Sequence, residues 1–121
     1  MKVLKRYGKE NAGAAQQGCF AIGNLAHEHK DNQQELSRLG ACETVIKSLK
    51  RCGKEDEEVA REGCAAIANL AHKDDVNKRE LARVGANNVV LACTDNPRKK
   101  EALKKLHSTV DEDASEKCTI Q

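Results

Sequence analysis

The residues best suited to chemistry are four histidines and six cysteines in a chain of 121 residues. His27 and His29 lie close together, and His72 stands in the same local setting as His27, after N-L-A. A structural zinc site needs ligands paired at short spacing, such as C-x-x-C or H-x-x-x-H, so that four of them converge. Neither spacing occurs, so no metal site and no cofactor are expected. There is also no glycine-rich phosphate loop and no nucleophile motif. The carboxylates fall at predicted helix starts and in the C-terminal tail. The expectation is therefore a protein that is not an enzyme.

One further motif is covalent. The chain ends Cys118-Thr119-Ile120-Gln121, which fits a terminal C-a-a-X box of the farnesyl type, with Cys118 as the lipidated residue. A single prenyl chain anchors weakly without a second signal. Thr119 is not aliphatic and the preceding residues are acidic, so a chance tetrapeptide is the competing reading. Membrane association is expected only if Cys118 is prenylated. The acidic, polar segment 111–121 is expected to be disordered.

The chain is 33% charged and 39% hydrophobic, with a formal charge of +2 and 2% aromatic residues. This balance suits a helical domain with a thin aliphatic core. The run Arg98-Lys99-Lys100, with Lys104-Lys105 nearby, reads as a solvated helix face. Nucleic-acid binding would call for a wider basic stripe or stacking aromatics, and only Tyr7 and Phe20 are present. No nucleic-acid partner is expected. No apolar run has membrane-spanning length, and the Lys-rich start lacks the apolar stretch of a signal peptide. The expected location is cytoplasmic, with a nuclear or membrane-associated one left open, and the thiols are expected to be reduced.

What must position these residues is an internal repeat. A shift of 45 residues maps KVLKRYGKE onto KSLKRCGKE, GCFAIGNLAH onto GCAAIANLAH, and ELSRLGA onto ELARVGA. About half of the positions are identical, without a gap. Each period holds three helical pieces. Thr44 to Arg51 reads as one helix, ended near Gly53. Asp56, Glu57 and Glu58 open a longer helix, where acidic groups favour the positive end of the dipole, and it runs to about Ala71. Asp75 and Asn77 start a short helix that ends at Gly85. Further helices are expected over Asn87 to Cys93 and Arg98 to His107, with Pro97 at the start of the latter.

On the long helix, Ala60, Cys64, Ile67 and Ala71 share a core stripe at i, i+4, i+7, i+11. Glu58, Glu62, Ala65, Asn69 and His72 form a second stripe about 200° away, at about 100° per residue. The matching stripe of the first copy is Gly13, Gln17, Phe20, Asn24 and His27. Cys19 and Cys64 are repeat-equivalent and read as small buried hydrophobes.

These residues resemble the armadillo repeat family. The likeness covers roughly Met1 to His107 and rests on GCFAIGNLA, GCAAIANLA and the downstream L-x-x-x-GA. It implies an all-α, right-handed α-solenoid of about two and a half three-helix repeats, stacked to bury a shared core. The expected division is a partial repeat over 1–31, a full repeat over 32–74 and a compressed repeat over 75–110. In that family the third helices line a concave groove, and an Asn on each bonds the backbone of an extended peptide. Asn24 and Asn69 match that Asn, and a carboxamide can satisfy both N–H and C=O of one peptide unit. Phe20 and Ala65 occupy the position of the family's groove Trp, and Lys105 replaces the Asn in the third copy.

The resemblance thus implies a protein–protein interaction module, with a protein or peptide partner bound by Asn24, Asn69, Phe20, Gln17, Glu62, His27 and His72. Two other readings stay open. The repeats could extend a longer scaffold, or form a prenylated membrane-associated adaptor. The Asn pair could instead bond a neighbouring repeat, and Phe20 could pack on an adjacent helix. The N-terminal side of the stack lacks a polar cap, which also suggests a homodimer.

Overall fold

A computed structural model describes residues 12–108. The tail 111–121, Cys118 and the Lys-rich start lie outside them. The described residues form seven helices and no strand. They are α1 (Ala12–Ala26), α2 (Lys30–Arg38), α3 (Ala41–Cys52), α4 (Glu57–Ala71), α5 (Asp75–Arg83), α6 (Ala86–Ala92) and α7 (Lys99–His107).

The sequence repeat is also a repeat of local geometry. His29 caps α2 by accepting from Asn32 N at 3.2 Å. Its equivalent, Asp74, caps α5 by accepting from Asn77 N at 3.0 Å. Asp56 does the same for α4 through Val59 N at 3.0 Å. Each bond satisfies an N–H that has no partner within its helix. Gly40 and Gly85 both take φ of 87°, a left-handed turn that glycine adopts without steric cost. That conformation lets α3 begin at Ala41, ahead of the expected Thr44, and lets α6 begin at Ala86.

The predicted core stripe Ala60, Cys64, Ile67 and Ala71 is completely buried. It meets Cys19, Ile22 and Ala26 of α1, Val45, Ile46 and Leu49 of α3, and Ala102 of α7 in one cluster. The long helices α1 and α4 pack side by side, and α7 packs on the other flank of α4. Gly63 permits the close approach of α3. A Cβ there would lie 2.4 Å from Leu49 Cδ2.

Buried polar groups tie one copy to the next. Gln33, 2% exposed, donates to Asn69 O at 2.7 Å and to His72 O at 3.0 Å. Its equivalent Lys78 donates to Ser108 O at 2.9 Å. Both side chains therefore satisfy carbonyls at the C-terminus of the next long helix, which have no partner within it. Asn77, fully buried, donates to Leu70 O at 2.9 Å and to Gln33 O at 3.1 Å.

Candidate functional site

A groove of about 650 Å³ runs across the long helices. Helix α1 contributes Phe20, Gly23 and Asn24, with His27 just beyond its end. Helix α4 contributes Arg61, Glu62, Ala65 and Asn69, and Pro97, Arg98 and Glu101 close the far side. Five of the seven expected partner residues are thus brought together: Phe20, Asn24, His27, Glu62 and Asn69. Gln17 is exposed on α1 but does not line the groove. His72 lines a separate depression with Glu28, Lys30, Gln33 and Lys73. α4 ends at Ala71 and His72 takes φ −59° and ψ 112°, so the helical stripe stops short of it. His27 also follows the end of its helix, yet it lines the groove, where Asn69 Oδ1 lies 3.5 Å from its ring.

The two Asn residues differ in their bonding. Asn69 Nδ2 donates to Gly23 O at 2.9 Å, and its Oδ1 lies 3.5 Å from His27 Nδ1. Asn24 is exposed. Phe20 is 50% exposed, so its ring presents an apolar surface to the groove beside Ala65.

The charges of the groove are paired internally. Arg61 bonds Glu58 and lies 3.4 Å from Glu62. Arg98 lies 3.3 Å from Glu101. Two arginines and two glutamates thus line it without a marked excess of either sign. Sequence reasoning missed Arg61 and Glu101 as lining residues. The available signal was their i, i+3 spacing to an opposite charge. Gly23 was also missed, because a carbonyl that accepts a bond leaves no trace in residue type.

Cys19 forms part of the groove floor. Burial, with Glu62 adding to it, pushes its thiol up to about 12. It stays protonated near neutrality and is a poor nucleophile. Among the described residues, no group of three or more His, Cys, Asp or Glu side chains is placed to hold a metal ion. Among them, too, no helix is long and apolar enough to cross a membrane. No family model, curated protein or solved structure matches the chain.

Proposed function

We propose that this chain is a short armadillo-type, right-handed α-solenoid whose groove binds a segment of a protein partner. The observation that carries the reading is the convergence of Phe20, Asn24, His27, Glu62 and Asn69 on one surface shared by successive repeats. Stacked repeats characteristically bind on such extended surfaces. The exposed ring of Phe20 would take an apolar side chain, and the Asn24 amide would pair with a backbone amide of the partner. Internally paired charges favour a segment of low net charge over a polyanion. The reading involves binding and no reaction.

The test compares partners captured by the wild-type chain with those captured by a Phe20→Ala, Asn24→Ala double variant. Loss of partners from that variant, with retention by Gln17→Ala, supports the groove. Equal capture by all three proteins sinks it.

A second reading rests on a different observation. Ala66 and Leu70 are completely buried, whereas their equivalents on α1, Ala21 and Leu25, are exposed, Leu25 by 52%. The face of α4 that is buried in the stack is therefore open on α1. A second copy of the chain placed against α1 would cover it and form a homodimer. Sedimentation of wild type as a dimer, and of Leu25→Glu as a monomer, is the expected result. A wild-type monomer at high concentration removes this reading.

A further inference from the structure

His27 and His29 are close neighbours in the chain, yet their rings hold opposite hydrogen-bonding roles. A neutral imidazole carries one hydrogen, so one ring nitrogen donates and the other accepts. His29 Nδ1 accepts from Asn32 N at 3.2 Å. Its hydrogen is therefore on Nε2, the form that an unconstrained imidazole prefers in water.

His27 is set the other way by a chain of three groups. The Gly23 carbonyl can only accept, so the end of Asn69 that meets it at 2.9 Å is the amide nitrogen, Nδ2. That turns Oδ1 toward His27, 3.5 Å from Nδ1. An amide oxygen also only accepts, so Nδ1 brings the hydrogen. The contact is longer than a typical bond of this type, but a bare Nδ1 would set two lone pairs against each other. His27 Nε2 is then the nitrogen without a hydrogen. The residue is exposed and lines the groove, and among the described residues no group bonds its Nε2.

The repeat shows what the arrangement depends on. One copy later, His72 stands for His27, and Lys105 on α7 stands for Asn69. An ammonium has no lone pair and cannot accept from an imidazole N–H. The second copy therefore cannot hold its histidine in the same way, and His72 lies in a different depression.

We propose that His27 is a specificity-determining residue of the groove, with Asn69 as its positioning residue. The bare Nε2 accepts a hydrogen bond from an uncharged side-chain donor of the partner, a hydroxyl or a carboxamide. This rests on the reading of the groove as a binding surface for a protein segment. The donor class follows from the neighbours. Arg61 lies 3.4 Å from Glu62 and Arg98 lies 3.3 Å from Glu101, which leaves no unpaired carboxylate in the groove to hold an ammonium. A partner carboxylate at this point would meet the Nε2 lone pair and be rejected.

The tautomers can be read without a partner. In mildly alkaline solution, nitrogen-15 spectra of the full chain should show His27 with its hydrogen on Nδ1 and His29 with its hydrogen on Nε2. Asn69→Ala should return His27 to the Nε2–H form and leave His29 unchanged. Binding is read with a random peptide library selected on the wild-type chain. The selected peptides should carry Ser, Thr, Asn or Gln at a fixed spacing from an apolar residue. His27→Phe should weaken them about tenfold, the usual effect of one lost hydrogen bond. Replacing the polar peptide residue by Ala should cost wild type the same and His27→Phe nothing. His27 with its hydrogen on Nε2 in wild type overturns the proposal. So do selected peptides that bind wild type and His27→Phe alike. A library without binders, or binders held equally by Phe20→Ala, sinks the groove reading itself, whatever the tautomer. If Asn69→Ala fails to fold, the wild-type spectrum and the His27→Phe comparison still decide the matter.

Discussion

The Asn69 amide donates across 2.9 Å to the Gly23 carbonyl, so a side chain facing the groove also binds one long helix to the backbone of the preceding one. A helical carbonyl that already accepts a backbone bond has a second lone pair available. A Cβ at Gly23 would sit 3.6 Å from Asn69 Nδ2, an ordinary van der Waals contact, so the bond does not depend on glycine at that position. Asn24 occupies the same position one repeat earlier, and the two equivalents are thus separated by context alone.

That difference is measurable as stability. Asn69→Ala should cost about 1–2 kcal/mol, the usual effect of removing a partly buried hydrogen bond. Asn24→Ala, on an exposed position, should stay within about 0.5 kcal/mol of wild type. Urea denaturation of both variants makes the comparison. Equal losses would show that the Asn69 bond contributes nothing in solution.

Gly63→Ala should cost up to about 2 kcal/mol, since overpacking costs about 1–3 kcal/mol and helix propensity returns about 1 kcal/mol. The new Cβ would meet Leu49 at 2.4 Å. In a Leu49→Ala background the clash is gone and only the propensity gain remains, so the same change should become neutral or stabilising. A double-mutant cycle reads the sign reversal. Its absence would mean that α3 moves away freely.

Asn77→Ala should cost about 2 kcal/mol, because its bonds to the Leu70 and Gln33 carbonyls are lost, offset in part because its own Oδ1 is buried without a partner. The repeat-equivalent Asn32 is half-buried and donates only to Leu25 O, at 2.7 Å. Its replacement by Ala should cost about 1 kcal/mol. Thermal melts rank the pair, and the reverse order would contradict the bonding described above.

Stability should fall in alkaline solution. Burial raises Cys19 from 9.0 to about 12 and Cys42 from 9.0 to about 11. Below pH 9 both thiols are protonated in folded and unfolded chains alike. Above it the unfolded chain releases protons that the folded chain keeps, so unfolding becomes easier as pH rises toward 11 and 12. Denaturation midpoints measured under reducing conditions from pH 8 upward should decline, and less steeply for Cys19→Ala. An identical slope in that variant would show that Cys19 does not titrate differently on folding.

Much of the helical content was legible because the apolar spacing of the long helix is strict. Ala60, Cys64, Ile67 and Ala71 form a stripe of helical period, and all four are buried. The start of α3 was less legible, since it depends on the left-handed turn at Gly40. His72 shows the limit of wheel arguments. It continues the spacing of Glu62 and Asn69 past the helix end, as His27 does past Ala26, yet only His27 lines the groove.

By itself the sequence determined the period, the helical pieces and the residues that turn toward a common core. These are local properties, set by spacing, caps and glycines. The tertiary structure decided how chemically identical residues diverge. Asn69 is bonded to Gly23 and Asn24 is exposed; Leu70 is buried and Leu25 is exposed. The reason is that each copy meets a different neighbour, and burial and hydrogen bonding belong to pairs of elements rather than to any one segment.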